Sequence, residues 1–156
     1  MLKTVDLRPA KNQADYDRCM GMLSLLGAAS GFGEASLTRA VAIFHCALKT
    51  ENFRIYLGSN DRPSAAVTWA FMNEAAVERY LQRGFLADIA DWTSGEQLWF
   101  PHIIAEGNKA RPIIADLVQD PLFEGFDRGR MLRGSQNGTR RIVAFSRRGV
   151  KLERTL

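Results

Sequence analysis

Residues 53–73, Phe53-Arg54-Ile55-Tyr56-Leu57-Gly58-Ser59-Asn60-Asp61-Arg62-Pro63-Ser64-Ala65-Ala66-Val67-Thr68-Trp69-Ala70-Phe71-Met72-Asn73, contain two short apolar, β-prone runs. Phe53 to Leu57 and Ala65 to Met72 are joined by Gly-Ser-Asn-Asp-Arg-Pro, residue types that punctuate strands. That pattern predicts an antiparallel hairpin around a loop of about four to six residues. Asn73 is a suitable N-cap for a helix running through Tyr80 and Leu81, which Gly84 closes.

Upstream, Gln13 to Ala28 carries Tyr16, Met20, Leu23 and then Leu26 or Gly27 at helical spacing and ends in a Gly-rich run. Ser36 can cap a second helix whose apolar positions Leu37, Ala40, Val41, Phe44, Ala47 and Leu48 follow the i, i+3, i+4 pattern, stopping near Asn52. Downstream, Leu98 to Ala105 reads as a strand interrupted by Pro101, which cannot donate to a ladder and so predicts a bulge or an edge. Asn108 can cap a helix over Lys109 to Leu117, with Pro112 tolerated in its first turn. Phe126 to Leu132 and Arg140 to Ser146 flank Ser-Gln-Asn-Gly, and Asn-Gly signals a second hairpin. The order ααββα(β)αββ predicts an α/β (α+β) fold with a mixed or antiparallel central sheet flanked by helices.

At 156 residues and 46% hydrophobic, with no internal repeat or linker-like tract, the chain is expected to form one domain over residues 1–156. Its longest apolar runs fall short of the roughly 20 residues of a membrane span, so no stable membrane insertion is expected. The N-terminus is polar and carries three acids in its first 17 residues, unlike a secretory or transit segment. With Cys19 and Cys46 as the two cysteines and no CxxC, a reduced cytoplasmic protein is expected. No His, Cys or carboxylate cluster has metal-ligand spacing, so no metal is implied. His45 and Cys46 are adjacent on a helix and diverge by about 100°, so they do not make a nucleophile–base pair.

Thr68-Trp69-Ala70, Tyr80-Leu81, Asp91-Trp92-Thr93-Ser94-Gly95-Glu96 and Trp99-Phe100, with Ser30 ahead of them, form a series without a gap. In this series the chain resembles the RTX toxin-activating, or hemolysin-activating, lysine acyltransferases, well over about residues 20 to 105 and loosely elsewhere. The resemblance implies a fold similar to the GNAT acetyltransferases, often as a dimer. It also implies transfer of a fatty acyl group to a toxin lysine from acyl carrier protein, whose phosphopantetheine thioester is the donor, with no other cofactor bound. Two departures stand out. The family's catalytic histidine follows the serine by three residues, where this chain has Gly33; its catalytic aspartate lies two residues beyond Trp-Phe, where this chain has His102.

Amine acylation requires an unprotonated amine, and a neutral imidazole is suited to take its proton. His102 is therefore the expected catalytic base, with Ser30 either positioning the thioester or simply forming its Gly-rich turn; Gly33 leaves room for the ring or substrate, and Glu34 orients it. Trp69, Trp92 and Trp99 are candidates to line an acyl channel or, as plain core, to be buried. Two other readings stay open: a catalytically inactive module binding an acyl group, carrier or other ligand, and a different reaction using His102 as general base.

The net charge of +4 is uneven: from Gly125 onward nine basic residues face two acids, and eight of the nine are Arg. Arg suits phosphate and carboxylate recognition, so an acidic partner is expected. Arg128, Arg130, Arg133, Arg140 and Arg141 are the expected docking surface for acyl carrier protein. The alternative is a short charged tail and strand faces that maintain solubility. No nucleic-acid-binding motif accompanies the arginines, so nucleic acid is not an expected partner.

Overall fold

The computed structural model describes residues 3–5, 12–30, 35–105, 110–134 and 138–156. Seven strands lie in one sheet in chain order: β1 (Lys3–Val5), β2 (Phe53–Leu57), β3 (Pro63–Met72), β4 (Gln97–Ala105), β5 (Gly129–Gly134), β6 (Arg140–Ser146) and β7 (Gly149–Thr155). All neighbours are antiparallel except β4 and β5, which are parallel. The helices are α1 (Gln13–Ala28), α2 (Leu37–Lys49), α3 (Glu74–Arg83) and α4 (Ala110–Gln119). This is the expected mixed sheet flanked by helices, and it is compatible with a GNAT-like arrangement.

The helix starts follow the capping residues. Asn12 accepts from the Asp15 amide at 2.9 Å, Ser36 from Arg39 at 3.3 Å and Asn73 from Ala76 at 2.8 Å, each satisfying an amide that the helix itself leaves unpaired. Gly84 ends α3 at φ 79°, a left-handed conformation that costs glycine no steric clash. Strand alternation divides the apolar residues between two cores. One packs Phe53, Ile55, Ala66, Ala70, Trp99 and Ile142 against α1, α2 and α3; the other packs Val67, Trp69, Leu98, Phe100, Val143 and Phe145 against α4.

Several boundaries differ from expectation. β3 begins at Pro63 rather than Ala65 because the loop is five residues long and Leu57 pairs with Pro63. α2 ends at Lys49, where the Thr50 hydroxyl turns back to the Cys46 carbonyl at 2.8 Å. β5 begins at Gly129 rather than Phe126, since Phe126 instead packs on Phe71 with ring centroids 5.6 Å apart. The Asn108 cap lies outside the described residues. The charged tail is a correction: residues 149–155 form β7, turned back by Arg147-Arg148 and by Gly149 at φ 119°.

The Asp91–Glu96 motif is a brace. Asp91 is buried and takes two hydrogen bonds from Arg79, while the fully buried Trp92 indole donates to the Leu86 carbonyl at 3.2 Å. Ser94 accepts from the Asn73 amide at 3.0 Å, tying the motif to the start of α3. A Cβ on Gly95 would lie 2.4 Å from the Asn73 nitrogen, so only glycine allows this approach.

Candidate active site

Pro101 creates the site by disturbing β4 in two ways. Against β3, Thr68 pairs with His102 and Ala70 with Trp99, so three steps on β4 face two on β3: a bulge at Phe100-Pro101. The extra residue reverses the facing of everything after it. Trp99 faces the α1–α3 core and Phe100 the α4 core; regular alternation would then turn His102 toward α4. His102 instead shares a face with Thr68 and meets the Phe44 ring edge-on, centroids 6.4 Å apart. Against β5, the parallel ladder is recorded at the single register Trp99↔Arg130, and two residues on stands a residue with no amide hydrogen to continue it.

Beyond that point the two strands form opposite walls of an open cleft of about 720 Å³. Pro101 to Ala105 of β4 and Met131 to Gly134 of β5 line it, with Ser30, Ile43 and Ile114 contributed by the helices or their ends. Ile43, Ile103, Ile104, Ile114 and Met131 give it an apolar part. Arg39, Arg83 and Arg133 bring three guanidinium groups to it, and no carboxylate among the described residues lines it. Such a cleft fits an amphiphile with an apolar chain and an anionic group.

His102 is the ionisable ring in this wall. Its Nδ1 lies 3.0 Å from Oγ1 of the fully buried Thr68. Burial pushes the imidazolium down to about 3, so the ring is neutral at pH 7. A conjugate acid held that low makes a weaker base toward an ammonium near 10.4 than an ordinary histidine. Ser30 lines the same cleft, and its hydroxyl donates to the Gly27 carbonyl at 2.9 Å, closing α1.

The other residues singled out in the sequence fall in different places. Gly33 and Glu34, with Gly31 and Phe32, lie outside the described residues. Trp69, Trp92 and Trp99 are buried in the two cores, and none of them lines the cleft. Among the arginines, Arg128 and Arg130 both bind Glu153 of β7, at 2.7 and 2.8 Å. Arg140 donates to the Leu81 carbonyl at 2.5 Å. Arg133 and Arg141 remain exposed and are paired across β5 and β6, on one face of the sheet at the cleft end. His45 pairs with the Tyr16 hydroxyl at 2.6 Å away from the cleft, and burial pushes the neighbouring Cys46 thiol up.

Sequence reasoning missed Thr68 as the partner of His102, although the residue stood in the Thr-Trp-Ala motif; a polar side chain inside an apolar strand was the available signal. It also missed Arg39 and Arg83, since surface positions on separate helices carry no pattern that unites them. Among the described residues no group of three His, Cys, Asp or Glu side chains is placed to hold a metal ion. No helix among them is long and apolar enough to cross a membrane.

Comparison with known proteins agrees with the motif series. Over 71 residues the chain is 31% identical to lysine-acyltransferase RtxC of Vibrio cholerae, a match covering 46% of each chain. The aligned stretch thus spans about half the length of that curated relative. The model of the RTX toxin acyltransferase family matches residues 12–146, from the start of α1 to the end of β6. This chain belongs to the RTX toxin acyltransferase family.

Proposed function

We propose that the protein is an acyltransferase that moves a fatty acyl group from the phosphopantetheine thioester of acyl carrier protein to a lysine of a protein acceptor or to another amine. Family membership supports the reaction class, and the name of the Vibrio cholerae relative supports lysine as the acceptor. The observation that carries the reading is the open cleft between β4 and β5, with isoleucine and methionine side chains, three arginines and a neutral imidazole in its lining. The acyl chain lies along Ile43, Ile103, Ile114 and Met131, the arm's phosphate meets the arginines, and the thioester carbonyl is brought to His102.

The chemistry runs on altered residues. Gly33 and His102 stand where the family pattern has histidine and aspartate, so a histidine–aspartate dyad cannot operate. At pH 7 a free lysine amine lies roughly 4.6 kcal/mol above its ammonium form. The cleft offsets part of this by holding amine and thioester together out of bulk water. The carrier docks on Arg133 and Arg141, the two members of the expected basic surface whose guanidinium groups are held by neither an ion pair nor a carbonyl among the described residues. The reading places the protein in the cytoplasm as one domain. It also allows a homodimer through the outer edge of β7, where Val150 and Leu152 are exposed.

Intact-mass spectrometry tests the proposal. The protein is mixed with acyl carrier protein bearing octanoyl, dodecanoyl or palmitoyl chains and with lysine-bearing acceptors. Acyl-sized mass gain on an acceptor, reduced in His102→Ala, is the expected result. Donor binding without any mass gain would instead identify an acyl- or carrier-binding module, and a donor that neither binds nor reacts would remove the reading.

A further inference from the structure

Thr68 is fully buried in the middle of β3, and among the described residues its hydroxyl has one hydrogen-bond partner, Nδ1 of His102 at 3.0 Å. A threonine hydroxyl carries one hydrogen, and a buried hydrogen of this kind needs an acceptor. Nδ1 is the acceptor within reach, so it presents its lone pair to Thr68 and carries no hydrogen itself. A neutral imidazole has one N–H, which then sits on Nε2, directed away from Thr68. The reverse arrangement, Nδ1–H donating to Thr68, would leave the hydroxyl hydrogen buried without an acceptor, a strongly disfavoured state.

We propose that Thr68 fixes His102 as its Nε2–H tautomer, making the ring a neutral hydrogen-bond donor to the carbonyl oxygen of a thioester bound in the cleft. This rests on the acyl-transfer reading and gives its histidine a role other than base. The amine enters unprotonated. Its nitrogen attacks the thioester carbon, the C–N bond forms, and the carbonyl π pair moves onto oxygen, where Nε2–H meets the growing negative charge. Collapse breaks the C–S bond, and the departing thiolate takes the proton shed by the nitrogen, leaving an amide and a free thiol. Burial of the ring suits this task, because an imidazole that resists protonation remains a neutral donor across the physiological pH range. Thr68 is a positioning residue; His102 touches the reacting atoms.

Two measurements test this. In uniformly 15N-labelled full-chain protein at pH 7.5, the ring nitrogens of His102 should report a protonated Nε2 and an unprotonated Nδ1. Thr68→Ser should keep that signature, and Thr68→Val should lose it. A protonated Nδ1 in the parent protein would overturn the tautomer assignment. The second measurement is acyl transfer from dodecanoyl acyl carrier protein. His102→Ala should lose about 100- to 1000-fold, the usual effect of removing one oxyanion donor. His102→Gln, whose amide donates but cannot serve as a base, should recover at least about tenfold of that loss. Glutamine no better than alanine would reject the donor role. A parent protein that transfers no acyl group would overturn the acyl-transfer reading and the oxyanion role together, while the ring signals still decide the tautomer.

Discussion

Replacing His102 with a residue that does not titrate should flatten the acid side of the stability profile. In the folded protein the ring takes a proton near pH 3, whereas in the unfolded chain it does so near 6.5. Between these values the unfolded chain holds the extra proton, so stability falls as pH drops through 6.5 toward 3. At pH 7.5 the effect is close to zero. At pH 5 the unfolded ring is almost wholly protonated and the folded one is neutral, a difference of about 1.5 pH units, or about 2 kcal/mol. The full effect, about 5 kcal/mol, is reached only below pH 3. Urea unfolding of the parent and of His102→Leu at pH 7.5 and pH 5.0, at one ionic strength, isolates this contribution because the carboxylates titrate alike in both proteins. The leucine variant loses the Thr68 hydrogen bond at both pH values, so its absolute stability is not the readout. The parent should lose about 2 kcal/mol more than the variant between the two pH values. Parallel losses, agreeing within about 0.5 kcal/mol, would refute the claim that the ring is held neutral by burial.

Three further substitutions probe the frame and the rim. Arg54 is nearly buried and bonds both Asp116 and Asp120 of the α4 region, while the Tyr56 hydroxyl donates to Asp116 at 2.7 Å; because Asp116 is half exposed and both carboxylates keep another donor, Arg54→Met should cost about 1–2 kcal/mol in urea unfolding. Gly95→Ala forces a methyl group to within 2.4 Å of the Asn73 nitrogen, and thermal melting should show a loss of about 1–3 kcal/mol. Charge reversal at Arg133 and Arg141 should slow association with acyl carrier protein about tenfold at low salt and weaken its dependence on ionic strength. Reversal at Arg128, already bound to Glu153, should change stopped-flow association less.

The elements legible in the sequence were those governed by local chemistry. Asn73 and Gly84 bound α3 because a side-chain oxygen and a left-handed glycine act on their immediate neighbours. The first hairpin followed from punctuation between β-prone runs. β7 escaped notice because its residues are almost all exposed: Val150, Lys151, Leu152, Glu153 and Arg154 show no buried alternation, and the strand is held by its backbone ladder to β6 and by the Glu153 pairs with Arg128 and Arg130. The same long-range pairs removed two arginines from the expected docking surface, a consequence that nothing local in the Arg-rich segment could announce.

Pro101 shows where local reading reaches its limit. A proline in a strand announces an irregularity, and the bulge is there. The facing of His102 depends on whether the extra residue precedes or follows it, and one residue moves every later side chain to the opposite face. Before the bulge, Trp99 faces the α1–α3 core; after it, His102 and Ile104 face that core as well, an offset that strict alternation forbids. Had the bulge fallen one position beyond His102, the ring would lie toward α4 and Thr68 would be buried without its partner. The pairing of Thr68 with His102 is therefore the observation that locates the bulge. It unites a motif residue on β3 with the imidazole of the cleft on β4, and that union became legible only once the two strands were laid side by side.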